Sequence, residues 1–361
     1  MTTKNHRELT FPAEWEPQSA IQLTWPHEAT DWKPYLKDIE KTFIELADKI
    51  TRHEKLLVVT PHVNAVKKLL ANRLGADGMA NVIYSECDSN DTWARDHAAI
   101  TLACPLRDDN KEGDKTLLDF KFNGWGEKFG WDKDNAITRK LYQQGLFSAK
   151  IEDHNDFVLE GGAVESDGKG TILTTTSCLL APHRNQPMDM QQIERRLKDT
   201  LRVERVIWID HGHLAGDDTD GHIDTIVRMA PNDTLLYVGC DNIEDEHYAD
   251  LKAMERQLET LRTLNDAPYR LLRLPMPRPI YDNGERLPAT YANFVILNGV
   301  VIVPTYQQPD IDAKALEVVG MAFENREIVG IDATTVIRQH GSLHCLTMQY
   351  PQGILRDGKL D

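Results

Sequence analysis

Several protein classes are argued against by what this chain has little of. None of its apolar runs approaches the roughly 20 residues needed to span a membrane. The polar, charged stretch from Met1 to Thr10 lacks the apolar core of a secretory signal. The five cysteines, Cys87, Cys104, Cys178, Cys240 and Cys345, are odd in number, widely spaced and free of any CxxC pair. That pattern argues against both a disulfide framework and a zinc site. Positive charge is also short: 41 Lys and Arg against 57 Asp and Glu give a net charge of −16. Nucleic acid and anionic membranes are therefore disfavoured as partners, whereas a small cation would be drawn in. The same acidity also serves solubility. The expectation is a soluble, cytoplasmic protein with reduced thiols, and a homo-oligomer is left open.

What the chain does contain is enough for a large core. Apolar residues make up 41% of its 361 positions, seven of them Trp, with no low-complexity tract. Leu36, Ile39, Phe43, Leu46 and Ile50 step by three or four and so share one helix face. Helix, strand, polar opening, strand and strand then recur. One copy has a helix near Met190 to Arg202, then strands Val203 to Ile209, Gly221 to Met229 and Thr234 to Val238. The next has a helix from Glu244 to Leu261, then Leu271 to Leu274, Tyr291 to Leu297 and Val300 to Val303. A further copy has Ala313 to Phe323, Glu327 to Ile331 and Leu343 to Gln349.

The polar openings at Asp96, Glu160, His222, Asn293 and Cys345 are 64, 62, 71 and 52 residues apart. Five openings at a loose common interval predict five ββαβ-like units closing into a ring. The strand Ala20 to Trp25 is expected to pair with the Cys345 strand and close the last unit. Nothing reads as a linker, so residues 1–361 are taken as a single domain.

In such a ring, equivalent openings converge on the axis. Cys345, in Gly341-Ser-Leu-His-Cys-Leu-Thr-Met-Gln349, is the candidate nucleophile, although a buried inert thiol is the alternative for every cysteine. His344 is discounted as its base because neighbours on a strand face opposite sides. His222, in Thr219-Asp-Gly-His-Ile-Asp-Thr225, is the better base, with Asp220 and Asp224 alternating onto its side. Glu160 opens Leu159-Glu-Gly-Gly-Ala163, whose glycines admit a close approach, and Asp96 precedes the strand His97 to Ala103. Upstream of His222, His211, His213, Asp217 and Asp218 offer a metal reading, but no HExxH spacing accompanies them. The reading adopted has no metal and no cofactor.

Three acids beside a thiol would raise its pKa, a poor arrangement unless the substrate is itself a cation. A guanidinium is permanently charged and carries five N–H donors that carboxylates can grip in pairs.

These motifs resemble the agmatine deiminases, within the guanidine-modifying superfamily of five-bladed α/β propellers. The likeness runs through Ala13-Glu-Trp-Glu-Pro-Gln18, Leu23-Thr-Trp-Pro26, Trp93-Ala-Arg-Asp96, Phe122-Asn-Gly-Trp-Gly126, Leu159-Glu-Gly-Gly162, Asp220-Gly-His-Ile-Asp224, Pro275-Met-Pro277, Tyr291-Ala-Asn-Phe294 and His344-Cys345. The resemblance implies that Asp96 and Asp224 clasp a guanidinium, Glu160 binds its nitrogens and orients the acid/base, His222 moves protons and Cys345 attacks. The implied reaction converts agmatine to N-carbamoylputrescine and ammonia. Ser342 stands where these enzymes usually carry Asn, and the Thr24 to Trp32 stretch departs from their usual loop. Trp93 and Trp125 are candidates to cover the substrate's tail, whereas Arg184 and Arg278 read as only loosely placed. Alternatives are a deiminase of free or peptidyl arginine, a metal-dependent amidohydrolase, and a non-catalytic cation-binding protein.

Overall fold

Five sheets in the computed structural model, which describes residues 9–104 and 114–356, share one strand order. In each, a short antiparallel pair is followed by a helical crossover to a parallel third strand. Ile100–Ala103, Lys115–Lys121 and Lys150–Val158 form one blade. Glu165–Ser166, Thr171–Thr175 and Arg205–Ile209 form the next. Val227–Ala230, Thr234–Val238 and Arg270–Leu274 follow, and then Val295–Leu297, Val300–Thr305 and Glu327–Asp332. The fifth blade is closed by both ends of the described chain. Gln18–Thr24 pairs antiparallel with Thr347–Pro351 and parallel with Lys55–Thr60, and Val82–Glu86 is added outside. This is the expected five-bladed α/β propeller, and the N-terminal strand pairs as expected.

The elements follow from local sequence. The central strand Val300–Thr305 is buried at its first five positions, as a strand covered on both faces requires. In helix Leu36–Thr51, Ile39, Phe43, Leu46 and Ile50 are buried, while Leu36 is half-buried at the start. Helix Met190–Leu201 begins at a reciprocal Asp189 and Gln192 capping box and ends at Arg202 in the left-handed conformation. No helix among the described residues is long and apolar enough to cross a membrane. Residues 1–8 of the N-terminal polar stretch lie outside the described residues.

The polar openings correct the expectation in one respect. They are not strand residues. Asp96 lies in the single helical turn Ala94–His97, with its strand starting at Ile100. Glu160 precedes the 3-10 turn Gly161–Ala163, and His222 precedes another at Ile223–Thr225, so the supposed strand from Gly221 begins only at Val227. Asn293 precedes Val295–Leu297, and Cys345 sits in a turn before Thr347–Pro351. Strand alternation therefore does not govern where these side chains point.

A charged hub ties the blades together. Arg228, fully buried, donates from Nη1 to the carbonyls of Ala292 and Phe294 (3.0 and 2.6 Å), from Nη2 to Glu14 (2.8 Å) and from Nε to Glu165 (2.5 Å). Its guanidinium also stacks 4.4 Å from the Phe294 ring centroid. One side chain thereby bridges two neighbouring blades and the N-terminal segment.

Candidate active site

Cys345, Asp224, Asp96, His222 and Glu160 are all buried at this hub. The Cys345 sulfur is 3.3 Å from Asn293 Oδ1 and 3.9 Å from Asp224 Oδ2. Asn293 also accepts from the backbone N–H groups of His344 and Cys345 at 2.9 and 3.2 Å, so it fixes the turn that presents the thiol. It was legible as the fourth polar opening but was given no role.

Asp96 accepts from the Gly162 N–H at 3.0 Å and from Trp125 Nε1 at 3.0 Å, and its Oδ1 lies 3.6 Å from His222 Nδ1. Gly162 cannot be replaced without moving the site. A Cβ there would lie 2.5 Å from His222 Nδ1, 2.8 Å from Asp96 and 3.2 Å from Asp224. The glycines after Glu160 thus make room for the site's own side chains. Trp125 reaches Asp96 from a turn in which Gly124, Trp125, Gly126 and Glu127 all have positive φ, between 55° and 86°. Left-handed backbone of this kind is strained for the two non-glycine residues and persists only where its surroundings enforce it.

Glu160 is held from behind. Arg184 Nε lies 3.0 and 3.3 Å from its two oxygens, and the same guanidinium donates to Asp220 at 2.6 Å and to the Thr219 carbonyl at 2.7 Å. This corrects two expectations: Arg184 is a buried, fully engaged residue, and Asp220 serves Arg184 and Lys128 rather than the His222 side of the site. Arg278, by contrast, is exposed and paired with Asp310. Arg95 turns away from Asp96 toward Glu14 and Met348.

The upstream cluster does not assemble. His211 pairs with Asp250, and Asp217 braces its own loop by accepting from Thr219 and Gly221. Asp218, beside Asp217, lines the wall of the substrate cavity. Among the described residues, two other groups bring three metal-binding atoms within 4.8 Å of one another: Glu160, Cys178 and His222, and Glu14, Glu165 and His344.

The electrostatics follow from burial and like charge. Burial, then Asp224 and Asp96, pushes the Cys345 thiol well above the usual range. Burial pulls the His222 imidazole down, but Asp96, Cys178 and Glu160 more than offset it and carry His222 well above the usual imidazole range. Burial likewise raises the Asp96 carboxyl to about 6 against the lowering effect of His222. Burial would raise Asp224 as well, but the hydrogen bond and charge of His344 hold it below the ordinary range. These shifts favour the neutral thiol and the charged imidazole among the carboxylates.

Above the thiol opens a cavity of about 380 Å³, with Cys345 and Asp96 in its lining and both Trp93 and Trp125 in its walls. Asp31, Asp91 and Asp218 line it as well. Burial pushes Asp91 up to about 7 and Asp218 up to about 6. Among the described lining residues the one guanidinium is Arg338, which is paired with Asp282 at 3.1 Å and stacks on Tyr35.

A thiol, an imidazole and three carboxylates at the hub of a five-bladed α/β propeller define a hydrolase of guanidino C–N bonds. The Porphyromonas-type peptidyl-arginine deiminase model matches residues 10–351, and the chain belongs to that family. An agmatine deiminase of Pseudomonas aeruginosa (strain LESB58) is 32% identical over 94% of this chain and 95% of its own. A solved Porphyromonas gingivalis protein, provisionally assigned as an arginine deiminase, is 49% identical with a TM-score of 0.89, covering 97% of this chain and 100% of that one. A substrate-bound C. jejuni agmatine deiminase is 34% identical with a TM-score of 0.86, covering 98% and 99%.

Proposed function

We propose that the chain acts as one catalytic unit that hydrolyses agmatine to N-carbamoylputrescine and ammonia, and that it does so in the cytoplasm, where its five buried thiols would stay reduced. The observation that carries the substrate assignment is the charge of the cavity. Its lining holds Asp96, Asp31, Asp91 and Asp218, and its one guanidinium is already paired. A dication with a guanidinium at one end and an ammonium at the other matches that wall, whereas the α-carboxylate of arginine meets like charge.

The guanidinium lies between Asp96 and Asp224, whose Oδ1 has no hydrogen-bond partner and is free to accept. Its positive charge offsets the carboxylates that keep Cys345 protonated, so the thiol ionises when substrate is present. The thiolate attacks the central carbon. His222, already protonated, gives its proton to the departing nitrogen, and ammonia leaves an amidino-thioether on Cys345. The now neutral imidazole takes a proton from water, which adds to the same carbon, and the thiol departs as the ureido product forms. Glu160, fixed by Arg184, accepts from the guanidinium nitrogens and orients His222.

A second reading is favoured by the 49% identical Porphyromonas gingivalis protein, which carries an arginine deiminase assignment. An ammonia-release assay across agmatine, arginine, peptidyl-arginine and methylated guanidines decides between them. The proposal fails if arginine or its peptides turn over as efficiently as agmatine.

A further inference from the structure

Cys178 has no part in the reaction described above, yet its thiol stands beside the proposed acid/base residue. It lies in the single turn Thr176–Leu179, where its own backbone N–H donates to the Thr175 hydroxyl at 3.2 Å, and it is fully buried. Its sulfur, a carboxylate oxygen of Glu160 and a ring nitrogen of His222 all lie within 4.8 Å of one another. His222 is itself fully buried, and neither of its ring nitrogens has a hydrogen-bond partner among the described residues. A buried imidazole without a partner, facing a thiol and a carboxylate, is an unsatisfied donor set.

We propose that Cys178, His222 and Glu160 form an inhibitory site for a thiophilic divalent cation, with zinc as the representative ion. One sulfur, one nitrogen and one oxygen are the three ligand types that zinc takes, and a tetrahedral ion would keep a fourth position for water. The sulfur ligates as thiolate and the imidazole as the neutral base, so binding releases protons and is stronger at higher pH. Thiolate and carboxylate together balance the charge of the ion. Arg184 stands beside both Cys178 and Glu160, but it approaches Glu160 through a single nitrogen at 3.0 and 3.3 Å and leaves other lone pairs of the carboxylate free. The substrate cavity offers the route in: its lining residue Asp96 stands 3.6 Å from His222, although Cys178, His222 and Glu160 are fully buried and do not line it themselves. The metal would stop turnover by holding the ring nitrogen that must carry the proton. That consequence rests on the proposed role of His222, whereas the binding itself rests on geometry alone.

The test therefore reads binding and turnover separately. Zinc is titrated against a competing chromophoric chelator on the metal-free wild type, Cys345→Ser and Cys178→Ser, and the cobalt-loaded proteins are examined for a thiolate-to-cobalt charge-transfer band. Wild type and Cys345→Ser are expected to bind one ion and show the band. Cys178→Ser, a near-isosteric change, is expected to lose the band and bind at least about tenfold more weakly. Cys178→Ser with undiminished affinity, or loss of binding in Cys345→Ser, would overturn the site, since the second result assigns the ion to the nucleophile. Added zinc should also lower wild-type turnover, with recovery on chelation. Zinc bound at Cys178 without any loss of turnover would overturn its inhibitory role and leave the deiminase assignment untouched.

Discussion

His344 Nδ1 lies 2.7 Å from Asp224 Oδ2, so the residue beside Cys345 in the chain sits behind the carboxylate that faces the thiol. Its other nitrogen is 2.8 Å from Glu14 Oε2 and 3.1 Å from Arg228 Nη2, so the ring is held at both ends. His344 is thus a positioning residue: it holds Asp224 ionised and aimed. His344→Gln should let burial raise the Asp224 carboxyl, since the depressing partner is gone. The acid limb of kcat/KM would then move to higher pH, and the fold would lose about 3 kcal/mol or more, the usual cost of breaking a buried charged pair. A pH profile of the variant superimposing on the wild type, with only the stability changed, would show that His344 supports structure alone.

Cys345→Ser should fold like the wild type and lose turnover by on the order of a thousandfold or more, because a serine hydroxyl has no comparable way to ionise among these carboxylates. Wild type quenched during turnover should carry the amidino adduct on Cys345 by mass spectrometry. Adduct on any other cysteine would contradict the assignment.

The pH dependence follows from the direction of each shift. Asp96 is raised to about 6, so its neutral form persists to that pH, and its grip on a cation is lost as pH falls through about 6. Asp224 is depressed and so stays ionised across that range. Cys345 is raised well above the usual thiol range, so kcat/KM should continue to climb above neutrality. Asp96→Asn should lower kcat/KM by about two orders of magnitude or more, within the range for truncating one partner of a buried charge pair. Retention of the limb near pH 6 in that variant would move its origin elsewhere.

The convergence of Asp96, Glu160, His222, Asn293 and Cys345 was legible because each polar residue interrupts an apolar pattern at the same place in a repeat. The partners were not. Arg184 meets Glu160 across 24 residues, Arg228 meets Glu14 across 214, and His344 meets Glu14 across 330, and no local period encodes such pairs. Alternation also misled where it was applied too closely. Asp220 was placed beside His222 as on a strand, but Asp220 and Gly221 both adopt positive φ, which turns Asp220 out toward Arg184 and Lys128. His344 was discounted on the same alternation, but the residue lies in a turn, and its ring meets Asp224 and Glu14.

Arg184→Met should reveal what holding Glu160 is worth. Removing the guanidinium leaves a fully buried carboxylate uncompensated, with an expected loss of about 3 to 5 kcal/mol in chemical denaturation. Arg184→Lys keeps the charge but not the fork, and should recover much of the stability while kcat stays low, because Glu160 is no longer oriented. Full kcat in the lysine variant would confine Arg184 to a charge-balancing role.

Agmatine should exceed free arginine in kcat/KM by roughly two orders of magnitude or more, the scale set by leaving a charge unpaired in a buried site. The two substrates differ only by the α-carboxylate, and the structure shows what that group would meet. Asp91 and Asp218 line the cavity in half-buried positions where burial already raises their carboxyls, to about 7 and about 6, so each gains from a cation and loses from an anion. Arg338 is the single guanidinium in the described lining, and it could serve arginine only by giving up Asp282. Asp91→Asn and Asp218→Asn should therefore narrow the preference mainly through KM for agmatine, since they act on the tail and not on the reacting carbon. The same changes should leave arginine turnover level or slightly improved. If neutralising both acids leaves the agmatine to arginine ratio intact, tail recognition lies elsewhere in the cavity, with Trp93 and Trp125 the next residues to substitute.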